Sequence, residues 1–271
     1  VGDSVSPFLY MVAGCVTNIV LDVVFVVFFH WGIAGVAIAT VAAQVINMTL
    51  LTRKLLTTQE GYALSLRELK LNGIYLSNML KMGIPSGLQS SMYAVSNMII
   101  QVAVNTLGTV VVASWAMTSK TDGIYWAISN ALGAAITSFV GQNLGAGRTD
   151  RAKDCVKQGM TLAMIITLTL SGLIMLCAKP LLSILTDDPA VIATTYEMMT
   201  YFVPFYFTWT AIEVLSAVLR GAGDAVNPVI IIGLGICLFR IVWIFTVFAA
   251  IGTLPSLCWC YVASWSVTSV A

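Results

Sequence analysis

The sequence predicts an all-α integral membrane protein, and three observations support that class. Hydrophobic residues make up 59% of the 271 residues and charged residues only 9%, and the mean hydropathy is +0.93. This composition excludes an ordinary water-soluble domain, which carries charge on most of its exposed faces. The apolar residues also form continuous runs such as "MIITLTLSGLIML". Such runs favour transmembrane helices over barrel strands, in which apolar and polar residues alternate.

Eight apolar stretches follow one another along the chain, each close to or above the roughly 20 residues that a helix needs to cross a bilayer. The two longest exceed the bilayer by about ten residues, so we expect them to tilt, kink or project into water. Pro85 in "KMGIPSGLQ" loosens the backbone early in the third stretch. The predicted spans are 8–29, 33–52, 74–105, 109–141, 158–178, 190–219, 229–250 and a last one that starts near Leu254.

Basic residues predict which connections face the cytoplasm. Five Lys and Arg residues lie from Arg53 to Lys81, four more follow Gly147, and Arg220 opens a third connection. These connections are two helices apart and therefore share one side, which the positive-inside rule places in the cytoplasm. The connection "TDDPAV" is then predicted to lie outside the cell and to begin a helix with Asp188 as its N-cap. We expect a multi-pass protein of the plasma membrane, the inner membrane of a prokaryote.

One polar phrase occurs twice in this apolar chain. "VGDSVSP" opens it, and "AGDAVNP" at 222–228 repeats Gly, Asp, Val and Pro at the same spacing, 221 positions later. Both copies precede a helix of the same predicted polarity, so they mark equivalent points in two parallel repeats. By this offset we expect roughly 140 residues in front of the chain and a last helix that is cut short.

Several motifs resemble the multidrug and toxic compound extrusion (MATE) family. "MGIPSGLQSS", "VGQNLGAGRTDRAKD" and "LRGAGDAVNP" are similar to its second half, and "GDSVSP…NIVLDVVFVVFFHWGIAGVAIAT" is similar to the end of its first half. The resemblance implies a polytopic transporter of two six-helix bundles, with about eight of twelve transmembrane helices present here. It assigns 1–52 to the last two helices of the N-terminal bundle, 53–73 to a cytoplasmic linker, and 74–271 to the C-terminal bundle.

The resemblance also implies a function. Members export organic cations and other drugs by antiport against Na+ or H+, with the lipid bilayer as surroundings, no cofactor, and no nucleic-acid partner. The missing N-terminal helices of the same protein would then be its partner. Two alternatives stay open: a lipid-linked oligosaccharide flippase of similar build, which would show more cationic residues in its cavity, and a non-transporting membrane remnant. An enzyme is not expected, because HExxH, GxSxG and CxxC motifs are lacking.

Polar residues within the spans are the candidates for a substrate or ion pathway, because a charge at the bilayer centre is costly without a partner or a cavity. Asp122 stands about halfway along its span, and Asp22 lies one turn after Asn18. A buried ion pair with Lys120 or Arg240 is the structural alternative for Asp122. Glu213, two turns from Arg220, is a weaker candidate that could reach the interface. No metal site is predicted.

The third stretch carries a polar stripe at a spacing of four residues, which places it on one helix face. Such a face either lines a central cavity or bonds a neighbouring helix. Trp115, Trp126 and Trp209 are further candidates for the wall of such a cavity, or else packing residues. Some family members carry acidic cation ligands on two helices, and motif alignment places Tyr93 and Trp209 at those positions here. The stripe consists of Gln89, Tyr93, Asn97 and Gln101.

A second group of residues reads as structural. Gly141 and Gly145 form a small-xxx-small pair that permits close helix packing, and Gly147 suits a left-handed helix stop. Arg220 can hydrogen-bond helix-end carbonyls, and Asp224 can cap the next helix. The predicted structural motif comprises Gly141, Gln142, Asn143, Arg220, Asp224 and Pro228.

Overall fold

The computed structural model describes residues 5–59, 63–65 and 70–271, and they fold almost entirely as helix. The chain divides into two compact units, Val1–Asn72 and Gly73–Ala271. The predicted linker 53–73 lies partly outside the described residues. Its first residues continue the preceding helix, which ends at Thr57 and not at 52.

The first unit is a pair of packed helices, α1 (Val5–Phe28) and α2 (Gly32–Thr57). The last five residues of α1, Val24–Phe28, are π-helical. A tight turn follows, in which His30 adopts a φ of 54° and Gly32 a φ of 52°.

The second unit contains six helical segments within the described residues. Very short connections join consecutive segments. Their bounds are α3 (Gly73–Thr106), α4 (Thr109–Gly145), α5 (Thr149–Leu185), α6 (Pro189–Gly221), α7 (Val226–Ile251) and α8 (Leu254–Val270).

Each predicted apolar stretch corresponds to one helix, but the helices extend beyond the apolar residues. α5 begins at Thr149, nine residues before the predicted start of its span at 158. Its first turns carry Arg151, Lys153 and Asp154, and since arginine and lysine favour helix in water, the helix can begin before its apolar part. Within the described residues, six helices are long and apolar enough to cross a membrane, judged by length and composition.

The core of the second unit is built around α4. This helix packs against α5 and α6, α8 packs on α6 and α7, and α3 contacts α4 and α7. Buried aromatic and apolar residues join these helices, among them Tyr125, Phe202 and Tyr206. The packing leaves one face of α4 directed at a cavity bordered by α3, α6, α7 and α8.

Two predicted helix ends are confirmed. Asp188 caps α6, since its Oδ1 accepts from the backbone N–H groups of Ala190 at 2.9 Å and Val191 at 3.4 Å, and Pro189 follows at the first helical position. Gly147 adopts a φ of 71° just after α4, the left-handed conformation that favours glycine at a helix stop.

Candidate functional site

A cavity of about 550 Å³ lies within the second unit. Aromatic rings form most of its wall, and one carboxylate and one guanidinium interrupt that wall. The lining residues are Tyr93, Asn97, Gln101, Trp115, Thr118, Ser119, Asp122, Trp126, Phe202, Trp209, Arg240, Tyr261 and Trp265.

Asp122 is buried on α4, with only 8% of its surface exposed. The hydroxyl of Tyr206 on α6 donates to its Oδ1 in a short hydrogen bond. The Tyr206 ring is itself stacked on Tyr125, with ring centroids 4.0 Å apart and planes within 9°. The carboxylate is therefore held at the cavity by a side chain that has little freedom to move.

Tyr125 connects this stack to a second set of hydroxyls. Its hydroxyl lies 3.0 Å from the carbonyl oxygen of Tyr206, to which it donates, and 3.1 Å from Oγ1 of Thr210. Oγ1 of Thr210 lies in turn 2.7 Å from Oγ1 of Thr167 on α5. Three helices are thus tied together behind Asp122 by groups that satisfy one another in a low-dielectric interior.

The ion pair that would make Asp122 structural is not formed. In the described part of the chain, the ion pair found joins Arg220 to Glu213. Lys120 is exposed, and Arg240 makes other contacts. The predicted alternative, an ion pair of Asp122 with Lys120 or Arg240, is therefore wrong. The carboxylate of Asp122 accepts a hydrogen bond from the Tyr206 hydroxyl instead.

Arg240 on α7 is 3% exposed and lines the same cavity. Its guanidinium carbon lies 3.8 Å from the ring centroid of Tyr261, a cation–π contact, and its Nε donates to Oγ of Ser264 at 3.0 Å. The cavity therefore contains both a negative and a positive group, and each is held by neutral partners.

The polar stripe of α3 is only partly directed at the cavity. Tyr93, Asn97 and Gln101 line it, whereas Gln89, one turn earlier, does not. The side-chain amide of Gln101 also donates to Asn105 at 3.0 Å on its own helix. Three members of the stripe therefore line a cavity, whereas the hydrogen bond of Gln101 stays within α3 and does not join a neighbouring helix.

The predicted aromatic candidates Trp115, Trp126 and Trp209 all line the cavity, and so does Tyr93, whose ring meets Trp209 edge-on at 6.1 Å. The rest of the aromatic wall was not predicted from the sequence. The missed residues lie on α6 and α8, where aromatic residues recur so often that spacing alone does not separate cavity wall from core. They are Phe202, Tyr261 and Trp265, together with the Asp122 partner Tyr206.

Besides Gln89, the two acidic candidates Glu213 and Asp22 do not line this cavity. Glu213 accepts from Nη2 of Arg220 at 2.8 Å and packs over Gly133, where an added Cβ would lie 2.5 Å from its Oε1. Asp22 belongs to the first unit. Its Oδ1 is buried there without a hydrogen-bond partner among the described residues, as are Nδ2 of Asn18 and Oδ1 of Asn47.

The structural motif is located where α4 and α6 end. A Cβ on Gly141 would meet the carbonyl oxygen of Gly221 at 3.3 Å, so this glycine does permit close packing. Gly145 has open space around it, and that half of the predicted small-residue pair is wrong. Arg220 is directed at Glu213 rather than at helix-end carbonyls, because a hydrogen bond between two opposite charges is stronger than one to a neutral carbonyl.

The remaining members of the motif make local contacts. Asp224 caps α7, and its Oδ1 accepts from the backbone N–H groups of Val226 and Asn227 at 3.1 Å each. The side-chain amide of Asn143 donates to the Phe139 carbonyl at 2.8 Å. Gln142 reaches Ser138 at 3.5 Å, and Pro228 is buried in the first turn of α7.

Residues 85–246 match the family model MatE, and the chain belongs to that family of membrane transporters. It is a multi-pass membrane protein with the fold expected from the sequence.

Individual relatives are more distant. The chain is 25% identical over 237 residues to the probable multidrug resistance protein YoeA of Bacillus subtilis (strain 168), covering 85% of this chain and 51% of that protein. It is 24% identical over 198 residues to an FAD transporter of Shewanella oneidensis, covering 70% of this chain and 43% of that protein. The chain therefore spans about half the length of the curated relatives it matches.

A solved structure shows the same fold. The outward-facing conformation of a multidrug resistance MATE family transporter of the MOP superfamily superposes with a TM-score of 0.87 at 20% sequence identity. The superposition covers 97% of this chain and 59% of that one.

Proposed function

We propose that this protein acts in secondary active export, in which drugs, organic cations among them, leave the cell across the plasma membrane in exchange for Na+ or H+. The observation that carries the proposal is the aromatic-walled cavity of about 550 Å³ with Asp122 at its edge. A cavity of this size fits a drug-sized molecule, and flat rings accept varied apolar bodies. A buried carboxylate without an ionic partner is a group that binds or releases a cation.

The family and its relatives support export but leave the substrate open. One relative is named for multidrug resistance and another for FAD transport. The flippase alternative is less well supported, because Arg240 is the one cationic residue among those that line the cavity of the described residues. In this proposal 1–52 belongs to an N-terminal bundle and 74–271 to a C-terminal bundle, and Tyr93, Asn97 and Asp122 line the pathway.

Asp122→Asn tests the role of the charge. The amide still accepts the hydrogen bond from Tyr206, so the variant should accumulate and melt like wild type while it loses the ionisable group. We expect ion-gradient-driven export of a fluorescent dye that carries a cationic group, tested in a zwitterionic and a purely cationic form, from vesicles carrying the full-length protein to fall about tenfold or more, the scale of a coupling free energy of about 1–3 kcal/mol.

Asp187→Asn is the matched control, since it removes an exposed carboxylate outside the cavity and should leave export unchanged. Normal export by Asp122→Asn at normal abundance would remove this residue from the mechanism. Absence of ion-driven export by the wild-type protein would favour the non-transporting alternative.

A further inference from the structure

Arg240 is a buried cation whose hydrogen-bonding capacity is mostly unused. A guanidinium has five N–H donors, and the one hydrogen bond described for this side chain is that of Nε to Ser264. Tyr261 covers one of its faces at 3.8 Å, and Trp265 lies further away, with its ring centroid at 5.9 Å. Within the described residues, no carboxylate forms an ion pair with it. The two terminal nitrogens therefore remain available to an acceptor in the cavity.

Other donors of the same wall are also unsatisfied. Trp265 is 2% exposed, and its Nε1 has no hydrogen-bond partner in the part of the chain that the structure describes. The hydroxyl of Tyr93, which lines the same cavity, is also buried without a hydrogen-bond partner among the described residues. An indole N–H can only donate, and a buried donor without an acceptor is costly, so the wall around Arg240 holds unused donor capacity.

Asp122 does not serve as the acceptor for Arg240. Its carboxylate receives the hydroxyl of Tyr206, and the two charged residues do not pair although both line the cavity. The cavity consequently has a separate cationic position on α7. A substrate with only positive charge would be attracted by Asp122 but repelled there.

The backbone of α7 is irregular on both sides of this residue. The short α-helical segment Phe239–Trp243 lies between π-helical stretches at Gly233–Leu238 and Ile244–Phe248. π-helical insertions rotate the side chains that follow them and are frequent at functional sites. Both π-helical stretches flank the buried Arg240.

We propose that Arg240 binds the anionic group, a carboxylate or a phosphate, of an aromatic substrate whose ring lies against the tryptophan and tyrosine wall. The inference rests on the proposed function, because it takes this cavity as the substrate site. It narrows the substrate class from drugs in general to aromatic anions and zwitterions. Zwitterions are included because Asp122, at the other charged position of the cavity, remains available for their cationic group.

Binding to a series of pyrene probes with one ring system tests this assignment. The probes are pyrenebutanol (neutral), pyrenebutyrate and pyrenebutyl phosphate (anionic), and pyrenebutyl trimethylammonium (cationic), titrated against the purified full-length protein by quenching of tryptophan fluorescence. We expect at least one anionic probe to bind about tenfold more tightly than the neutral one, the effect of one charge-assisted contact. The two anionic probes distinguish carboxylate from phosphate recognition.

Arg240→Gln and Arg240→Met should abolish the preference and leave binding of pyrenebutanol within about twofold. The methionine variant keeps much of the side-chain volume without a buried charge, and such apolar replacements usually fold. Lys153→Gln, which removes an exposed cation outside the cavity, is the control and should keep the preference.

Equal binding of neutral and anionic probes to wild type, or tighter binding of the cationic probe than of both anionic ones, would overturn the proposal. A preference that survives both Arg240 substitutions would overturn the assignment to this residue. Because binding is measured at equilibrium without an ion gradient, a failure of export alone leaves these results intact and counts only against the proposed function.

Discussion

Asp224 illustrates how a single exposed carboxylate determines a turn in this protein. It lies between α6 and α7, outside the helices, and accepts hydrogen bonds from Val226 and Asn227. The backbone N–H of Asn227, followed by its side-chain amide, favours the charged form and lowers the pKa of Asp224 below its ordinary value. The turn is therefore most stable when this residue is ionised.

A pH dependence follows from that shift. Because the folded-state pKa lies below the unfolded one, the stabilisation is present above the ordinary aspartate range, about pH 3–5, and is lost as the pH falls through it. Asp224→Asn accepts similar bonds but does not titrate. Thermal unfolding in detergent should show wild type more stable than the variant at pH 7 and the difference gone at the acid end. A difference that grows on acidification would contradict this account.

At the level of residues, the sequence predicted which side chains line the cavity better than which side chains bond to one another. Asp122 and the three tryptophans could be selected because polar and large aromatic residues within apolar spans are conspicuous. Tyr206 could not, since it lies 84 residues from Asp122 and meets it only when α4 packs against α6. The same applies to Arg220, whose Glu213 partner was noticed at two turns' distance but whose side chain was expected to reach backbone carbonyls.

At the level of elements, close contact between α4 and α6 depends on particular glycines. A Cβ on Gly221 would lie 2.7 Å from the carbonyl oxygen of Thr137 and 3.0 Å from Cβ of Val140. Neither atom belongs to the free end of a flexible side chain, so the helices themselves would have to separate.

We therefore expect Gly221→Ala to lower the stability of the protein by about 1–3 kcal/mol, the usual cost of overpacking. Gly145→Ala is the matched control, because its surroundings are open and alanine favours helix by up to about 1 kcal/mol. Thermal melts of both variants in the same detergent check the difference. Equal melting temperatures would mean that α4 and α6 are not in close contact at this point.

The helices themselves were predictable because each apolar stretch demands one. The ends of the helices were not predictable, because hydropathy shows which residues lie in lipid and not how long the helix is. For example, α5 begins nine residues before its predicted span. The π-helical parts of α1 and α7 also have no signature in hydrophobic pattern, because they depend on how the backbone accommodates its neighbours.

At the level of the whole molecule, those π-helical parts support the internal repeat. Adding the 221-residue offset of the repeated phrase to Val24–Phe28 gives 245–249, one residue from the π-helical stretch Ile244–Phe248. Each is followed within four residues by a residue of positive φ, His30 and Gly252. Two weakly similar sequences thus share a backbone irregularity at equivalent positions, which local sequence similarity had not indicated.

The orientation of the molecule is the last prediction. Five basic residues lie between Arg53 and Lys81, and keeping them in the cytoplasm avoids moving their charges through lipid. Gly61, which lies outside the described residues, belongs to that connection. In a background lacking the six native cysteines, Gly61→Cys should resist an impermeant maleimide in intact cells and react after permeabilisation, whereas Asp187→Cys, at the predicted external end of α5, should react in both. Labelling of Gly61→Cys in intact cells, together with protection of Asp187→Cys, would mean that the predicted topology is inverted. The C-terminal ends of α4 and α6, the latter near Arg220, would then lie outside the cell.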